Sequence, residues 1–599
     1  MGSSAVIVET RPPKSKTKLL PPLVAIALLA AAFFLARGGA GPDAARRDRA
    51  ELAALAALGM SGEAAEGAAD EDGVVWTEID GVLHVTGLTL DGGTFPGGAV
   101  SLAAFPRLVA FRADGAGLSA LDVSLNPLLE ALKVSDNSLT EIDLAGNPAL
   151  VELEARGNLL GSLDATKNPA LERLAVSGNA LATLDVSRNP ALLELDVWSN
   201  NIASLDVSAN PLLRELAFNE NGLAAVDVSR NPGLVRLDAS NNLLEELDLS
   251  KNPDLAYLEV GGNLLETLDV GGSRKLARIG AGANRLASLD LSGNPALESL
   301  DVMDNRLASL DLSHNPGLEY LFAGGNRLAA LDLTRNPRLV NLFAGGNLLA
   351  EIDLSKNPAL VDVNLDGNRL VRIDVSQNAK LNGLNVRDNK LRVLDVSKNP
   401  GLFRLDVCLN GLASLDVTRN PELGWLDVMG NNLAALDVTN NPELAWLGAG
   451  DNDLVRIDVS KNPKLSWLNL RANSLTSVDV TRNPELAWLD LRGNSLGSLD
   501  SSGNPRLSWL GLRGNSLERL DLSGNAALSR LDVCDNRLAE LDVGRNRALV
   551  WLDVRGNRLK RLDISQNRAL VRLDACSNQL TALDVSRNSA LASLAVCGD

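Results

Sequence analysis

The residues with types and spacing suited to chemistry lie in columns that recur every 21 positions. Trp425, Trp446, Trp467, Trp488, Trp509 and Trp551 hold one such position, with Arg530 interrupting them. Arg471, Arg492, Arg513 and Arg555 hold another, four residues further on, with Cys534 among them. Indole rings offer flat apolar faces and guanidinium groups offer planar forks of donors. Together they suit a ligand with apolar or sugar faces on one side and carboxylates on the other. Asp427, Asn469, Asp490, Asp532 and Asp553 stand between the columns, and Asp490 joins the candidate contacts. Tyr320, Phe322 and Phe343, beside Gly324 and Gly345, form a smaller candidate surface.

Cys408, Cys534, Cys576 and Cys597 all occupy the position held by the Arg column. That position points away from the core, so free, exposed thiols are expected. Cys576 and Cys597 are neighbours in the column at about the ~4.8 Å strand spacing, and a bridge between them is the alternative. The pattern D-x-S-x-N, as in Asp185, Ser187 and Asn189, opens like a calcium loop. Pro follows where such a loop needs Gly, and no distal Glu closes the cage, so it reads as a turn. His84 and His314 are the two histidines, and neither has a nucleophile beside it. A phosphate-cradling glycine loop and zinc-ligand spacing are both missing. No enzyme activity, cofactor or metal is expected.

These columns are positioned by a repeat. The unit Leu174 to Glu194, LAVSGNALATLDVSRNPALLE, recurs without insertion or deletion from Phe111 to the end of the sequence. Its segment L-x-V alternates as a strand does, with Leu174 and Val176 inward and Ala175 and Ser177 outward. One unit cannot enclose its own apolar residues, so each coil must bury them against its neighbours. Asn stands five residues after the strand anchor from Asn137 to Asn578, where a buried amide answers both backbone donors and acceptors. An Asp recurs in all 23 copies from Asp122 to Asp584 and is read as the acceptor of its own turn. The net charge of -18 is therefore mostly architectural, because without those 23 the 57 basic residues outnumber the remaining acids. No nucleic-acid partner is indicated. Gly271-Gly272-Ser273-Arg274 replaces S-x-N-P in one unit, which predicts a looser coil there.

The pattern L-x-x-L-x-L-x-x-N-x-L resembles the leucine-rich repeat, and L-D-V-S-x-N-P-x-L in a 21-residue unit resembles the internalin-type repeats of bacterial surface proteins. The resemblance covers Ala110 to Asp599. It implies a repeat solenoid, a leucine-rich-repeat horseshoe or superhelical arc, with a parallel β-sheet on the concave face and short turns on the convex face. One branch of that family carries Cys where this chain has Val176 or Val197. No sorting motif or immunoglobulin-like module appears, so anchoring and virulence roles do not carry over.

Upstream, residues 1–18 form a basic tail and Leu19 to Ala36 an apolar run without charge, long enough for a membrane anchor. A cleaved signal peptide, giving a secreted protein, is the alternative. The positive residues near the run place the N-terminus in the cytoplasm and the repeats outside, in the cell envelope. Residues 37–72 read as an Ala-, Gly- and acid-rich linker with a short helix. Residues 73–110 read as an N-terminal cap, with Leu83, Val85, Leu88 and Leu90 alternating around the Phe95-Pro96 turn, and 111–599 as the repeats. The sequence stops within a strand unit, so an end-to-end contact with a second molecule, or a longer chain, is expected. The functional expectation is a membrane-anchored binding or adhesion protein recognising a protein or glycan through the concave face. The alternative is a structural spacer without a specific ligand.

Overall fold

An apolar strip of three residues cannot stay dry unless another strip covers it on each side, and the fold repeats that solution coil after coil. The computed structural model describes residues 47–58, 60, 73–90 and 98–597. The basic tail, the apolar run at 19–36, most of the linker at 37–72 and the Phe95-Pro96 turn lie outside the described residues. No helix among the described residues is long and apolar enough to cross a membrane. The chain forms two compact units, residues 1–180 and 181–599.

In the first unit, helix α1 (Arg49–Ala57) begins at Asp48, whose Oδ1 accepts the backbone N–H groups of Ala50 at 2.8 Å and Glu51 at 3.1 Å. Strands β1 (Val74–Ile79) and β2 (Val82–Thr89) form an antiparallel hairpin over buried Trp76, Leu83 and Val85. Glu51 docks the helix onto this hairpin. Its buried carboxylate accepts the Val85 N–H at 2.8 Å and faces His84 Nδ1 at 3.3 Å, and burial raises its pKa. On its other edge β2 pairs in parallel with β4 (Ala110–Arg112), Leu88 opposite Phe111. Antiparallel pairing in the hairpin thus gives way to parallel pairing in the repeats.

The second unit runs from β9 (Glu194–Asp196) to β28 (Ser593–Ala595), every strand three residues long. Register is constant: Leu216 pairs with Leu237, Leu489 with Leu510, and Leu573 with Leu594. A repeat without insertions permits no other register. The anchor leucines are fully buried through most of the stack, whereas Leu594 and Val596 in the last described coil are 47% and 48% exposed.

Two asparagine columns run through this core. Asn494 represents the strand-end column: its Nδ2 donates to the carbonyls of Leu470 (2.9 Å) and Leu491 (3.1 Å), and its Oδ1 accepts the Leu475 N–H (3.0 Å). Asn462 represents the turn column. Its Nδ2 donates to the carbonyls of Val438 (2.9 Å) and Asn441 (2.8 Å), both in the turn of the preceding coil. Its own carbonyl accepts the next amide, from Asn483, at 2.9 Å. The turn asparagines form an unbroken ladder of side chains clasping backbone. The supposedly loose unit keeps this ladder, which corrects the expectation drawn from Gly271-Gly272. Fully buried Ser273 supplies a donor in place of the amide, its Oγ reaching the Asn252 carbonyl at 2.9 Å, and Leu258, Ile279 and Leu300 stay in register.

The recurring Asp closes its turn as expected. Asp458 Oδ1 accepts the Ser460 N–H at 2.9 Å, and Asp479 Oδ1 accepts both the N–H (3.0 Å) and the hydroxyl (2.7 Å) of Thr481. These bonds hold the carboxylates below their ordinary pKa. A depressed folded pKa contributes stability above the unfolded carboxylate range, about pH 4, and loses it as pH falls through the folded value. Thermal melts are expected to be nearly flat from neutral pH to about 5 and to fall steeply below about 4, many small contributions adding along the column.

Candidate functional site

The Trp column occupies the first residue of β20 (Trp425–Asp427), β21 (Trp446–Gly448), β22 (Trp467–Asn469), β23 (Trp488–Asp490), β24 (Trp509–Gly511) and β26 (Trp551–Asp553), with β25 (Arg530–Asp532) between the last two. Register brings five of these rings face to face. Centroids lie 4.4, 4.0, 4.4 and 4.4 Å apart from Trp425 to Trp509, with interplanar angles of 5–13°. The Arg404 guanidinium covers one end of the stack, 4.6 Å from the Trp425 centroid, and Arg492 lies 5.3 Å from that of Trp509. This corrects the expectation of open ring faces. The faces are occupied by one another and by arginines, and the half-buried indoles present their edges. Trp551 stands outside the stack, beyond Arg530.

The rings lie down over their own strands. A Cβ on Gly448 would come within 2.8 Å of the Trp446 ring, and one on Gly511 would strike the Trp509 ring. The same cover explains why Asp427, Asn469, Asp490 and Asp553 are buried although they project toward the sheet face. Asp490, named above among the candidate contacts, lies beneath this cover. It is fully buried and grips Arg492 through two bonds, Nε to Oδ1 at 2.9 Å and Nη2 to Oδ2 at 2.6 Å, which raises the arginine's pKa. Asp553 grips Arg555 in the same way, with Asp574 3.3 Å away. Arg471 pairs with Asp451 at 2.8 Å, and Arg513 with Asp535 at 3.3 Å; both of these pairs are about half-exposed. Arg471, Arg492, Arg513 and Arg555 thus each already hold a carboxylate.

Tyr320 on β15 (Tyr320–Phe322) is 40% exposed. Phe322 stacks on Phe343 of β16 (Asn341–Phe343), centroids 5.2 Å apart. This patch lies several coils before Trp425 and does not join the ladder.

Two cysteine expectations fail. Cys408 and Cys534 are buried, 2% and 1% exposed, because the covered sheet face encloses their position. Burial beside Asp406 and Asp427 pushes the Cys408 thiol up, and burial pushes Asp427 up to about 6. Cys534 and Asp532 shift upward for the same reason. Cys576 and Cys597 are joined in a disulfide, Cα atoms 4.4 Å apart, where free thiols were expected.

Sequence reading also missed an acidic concavity of about 320 Å³. Ala217 sits within it, among Glu194, Asp196, Glu215, Asp238 and the 40% exposed Trp198. The consecutive strands E-L-D, E-L-A and R-L-D carried its signal.

No protein-family model and no curated protein matches this chain. Solved structures do. The functional domain of InlJ from Listeria monocytogenes, described as including a cysteine ladder, is 29% identical, covering 56% of this chain and 77% of that one at a TM-score of 0.53. A leucine-rich-repeat protein of Leptospira interrogans is 23% identical over 59% of this chain and 92% of its own, at a TM-score of 0.51. The plant peptide hormone receptor RGFR1, in complex with RGF2, is 19% identical and covers 86% of this chain and 93% of that one at a TM-score of 0.66.

Proposed function

We propose, from the premise that this chain is a leucine-rich-repeat protein of internalin-type 21-residue units, that it is a binding protein of the cell envelope. Its sheet face between Arg404 and Arg555 would receive an extended protein segment carrying apolar and acidic side chains. The observation that carries this reading is the ladder of five stacked, half-exposed indoles along one line. Edge-on indoles form an apolar wall with N–H donors, a surface favoured at interfaces. Sugar rings need open faces, which these indoles lack, so a protein fits better than a glycan. Among the arginines, Arg471 and Arg513 are the available anchors. Their half-exposed pairs are worth only about 0–1 kcal/mol, and an incoming carboxylate could replace Asp451 or Asp535 at little cost. Arg492 and Arg555 stay locked on their own strands. Residues 19–36 we read as the anchor, with the repeats outside the cytoplasm.

The closed stack also favours a second reading, a spacer whose rings satisfy only each other. An array of acidic and apolar peptides, with glycans alongside, probed with the full chain, separates the two. A captured peptide should lose at least about 30-fold in affinity when Trp467 and Trp488 become Ala, since buried interface tryptophans are each worth roughly 2 kcal/mol or more. Thermal unfolding should change little. Substituting Lys461 and Arg482, on the turn face, should leave the affinity unchanged. If the Trp pair costs several kcal/mol of stability and no affinity moves, the ladder is scaffold.

A further inference from the structure

The Arg column contains its own exceptions. In the strands of Asp490 and Asp553 the residue two further on is arginine, and its guanidinium neutralises the buried carboxylate. In the strands of Asp406 and Asp532 that residue is cysteine. The next coil brings a second buried carboxylate against each thiol. One donor atom from each of Asp406, Cys408 and Asp427 lies within 4.8 Å of the others, and Asp532, Cys534 and Asp553 repeat the arrangement 126 residues later.

The first cluster is short of donors. Asp406 Oδ1 accepts the Cys408 N–H and Asp427 Oδ1 accepts the Met429 N–H, each at 3.1 Å. Those bonds each hold one oxygen of a carboxylate, and the thiol lies within 4.8 Å of an oxygen of each. A thiol has one proton, so it satisfies one of the two. All three residues are more than nine-tenths buried, and among the described residues neither Asp406 nor Asp427 forms an ion pair. A cysteine that merely filled space would sit among apolar atoms. This one sits between two acids, at the strand position from which Arg492 and Arg555 grip Asp490 and Asp553.

We propose that Asp406, Cys408 and Asp427 are three ligands of a divalent, thiophilic metal ion of the Zn²⁺ class, and that Asp532, Cys534 and Asp553 are a second, weaker site. Bonds of about 2.0–2.3 Å require the donor atoms to close by about 1 Å, which side-chain rotation supplies. Sulfur in the set selects against Ca²⁺ and Mg²⁺. Three protein ligands leave the fourth tetrahedral position to water. As the ion binds, the S–H bond breaks, the S–metal bond forms and the proton leaves to solvent. The second site is weaker because Arg555 already holds both oxygens of Asp553, at 2.7–3.2 Å, and the ion must displace it.

The test is a titration of the full chain, stripped with a chelator and with its disulfide intact, using Co²⁺ and then displacement by Zn²⁺. A near-ultraviolet sulfur-to-cobalt charge-transfer band should saturate at one tight equivalent and bleach on adding Zn²⁺. Cys408→Ser should remove that tight band. Asp427→Asn, which keeps the side chain's volume, should weaken binding at least about tenfold while the near-ultraviolet dichroism of the adjacent Trp ladder persists. Cys534→Ser should leave the tight band in place, and Arg555→Gln should strengthen the weaker one. No band in the wild-type chain, or a band indifferent to both Cys408→Ser and Asp427→Asn, overturns the proposal: the cluster then holds a proton and not a metal. A tight band lost in Cys534→Ser but kept in Cys408→Ser overturns the assignment of the stronger site.

Discussion

Asn462→Asp is expected to destabilise the coils around it more than Asn462→Ala, although Asp matches the native shape and Ala does not. The amide of Asn462 donates to two buried carbonyls, those of Val438 and Asn441. Each carbonyl keeps one further donor, Val438 from the Asn441 N–H and Asn441 from the Leu444 N–H, both at 3.1 Å. Ala therefore removes two hydrogen bonds and leaves a small void, a loss of roughly 2–3 kcal/mol. Asp aims an acceptor, charged or expensively protonated, at two carbonyls with no cation beside it, and about 4 kcal/mol or more follows. Repeats contact only their neighbours, so the damage should stay local. Urea unfolding should split into two transitions, and limited proteolysis should cut near residues 438–483. Equal losses for the two variants would mean that the amide's shape, and not its donors, sustains the ladder.

The second large effect concerns the last described coil. Its Leu594 and Val596 are about half-exposed, so apolar packing holds it weakly, and the Cys576–Cys597 bridge ties it to the coil before. Closing a loop of 21 residues is worth about 3 kcal/mol. Reduction, or Cys597→Ser, should lower the hydrogen-exchange protection of the Ala592 and Ser593 amides, which donate to the Val571 carbonyl, by roughly a hundredfold. Amides around Trp467 should not respond. Unchanged protection at Ala592 would show that backbone pairing alone holds the coil.

The period, the register and the Asn137-to-Asn578 column were legible because each rests on local geometry repeated without error. Turn closure by Asp458 and its equivalents was legible for the same reason. The sheet face was read less well. Alternation places Asp490, Cys408 and Trp467 on one side of the sheet, but does not say that indoles will fold over their own strands and enclose what lies beneath. Ring stacking between coils depends on the ~4.8 Å strand spacing acting on large side chains, a pairwise effect invisible in any single unit. The Asn462 column was hidden in plain view, since Asn-Pro is read first as a turn signal. Ser273 looked like decay because it is not Asn, yet the site asks only for one donor in a small volume.

The Asn-Pro order of the turn column also governs how the molecule ages chemically. An asparagine deamidates when the backbone nitrogen of the following residue attacks its side-chain carbonyl carbon, and proline has no N–H to give. Asn441, Asn462, Asn483 and Asn504 are each followed by Pro, so the residues whose amides hold successive turns together cannot take that route. Asn378, Asn525, Asn546, Asn567 and Asn588 are followed by Ala, Ala, Arg, Arg and Ser, and only burial protects them. Deamidation there would write into the native chain the same change as Asn462→Asp, a donor turned into a carboxylate against buried carbonyls. Within the turn column, slow hydrolytic damage should therefore enter at Asn378 and in the coils from Asn525 on, while the turns beneath the Trp ladder do not spoil in this way.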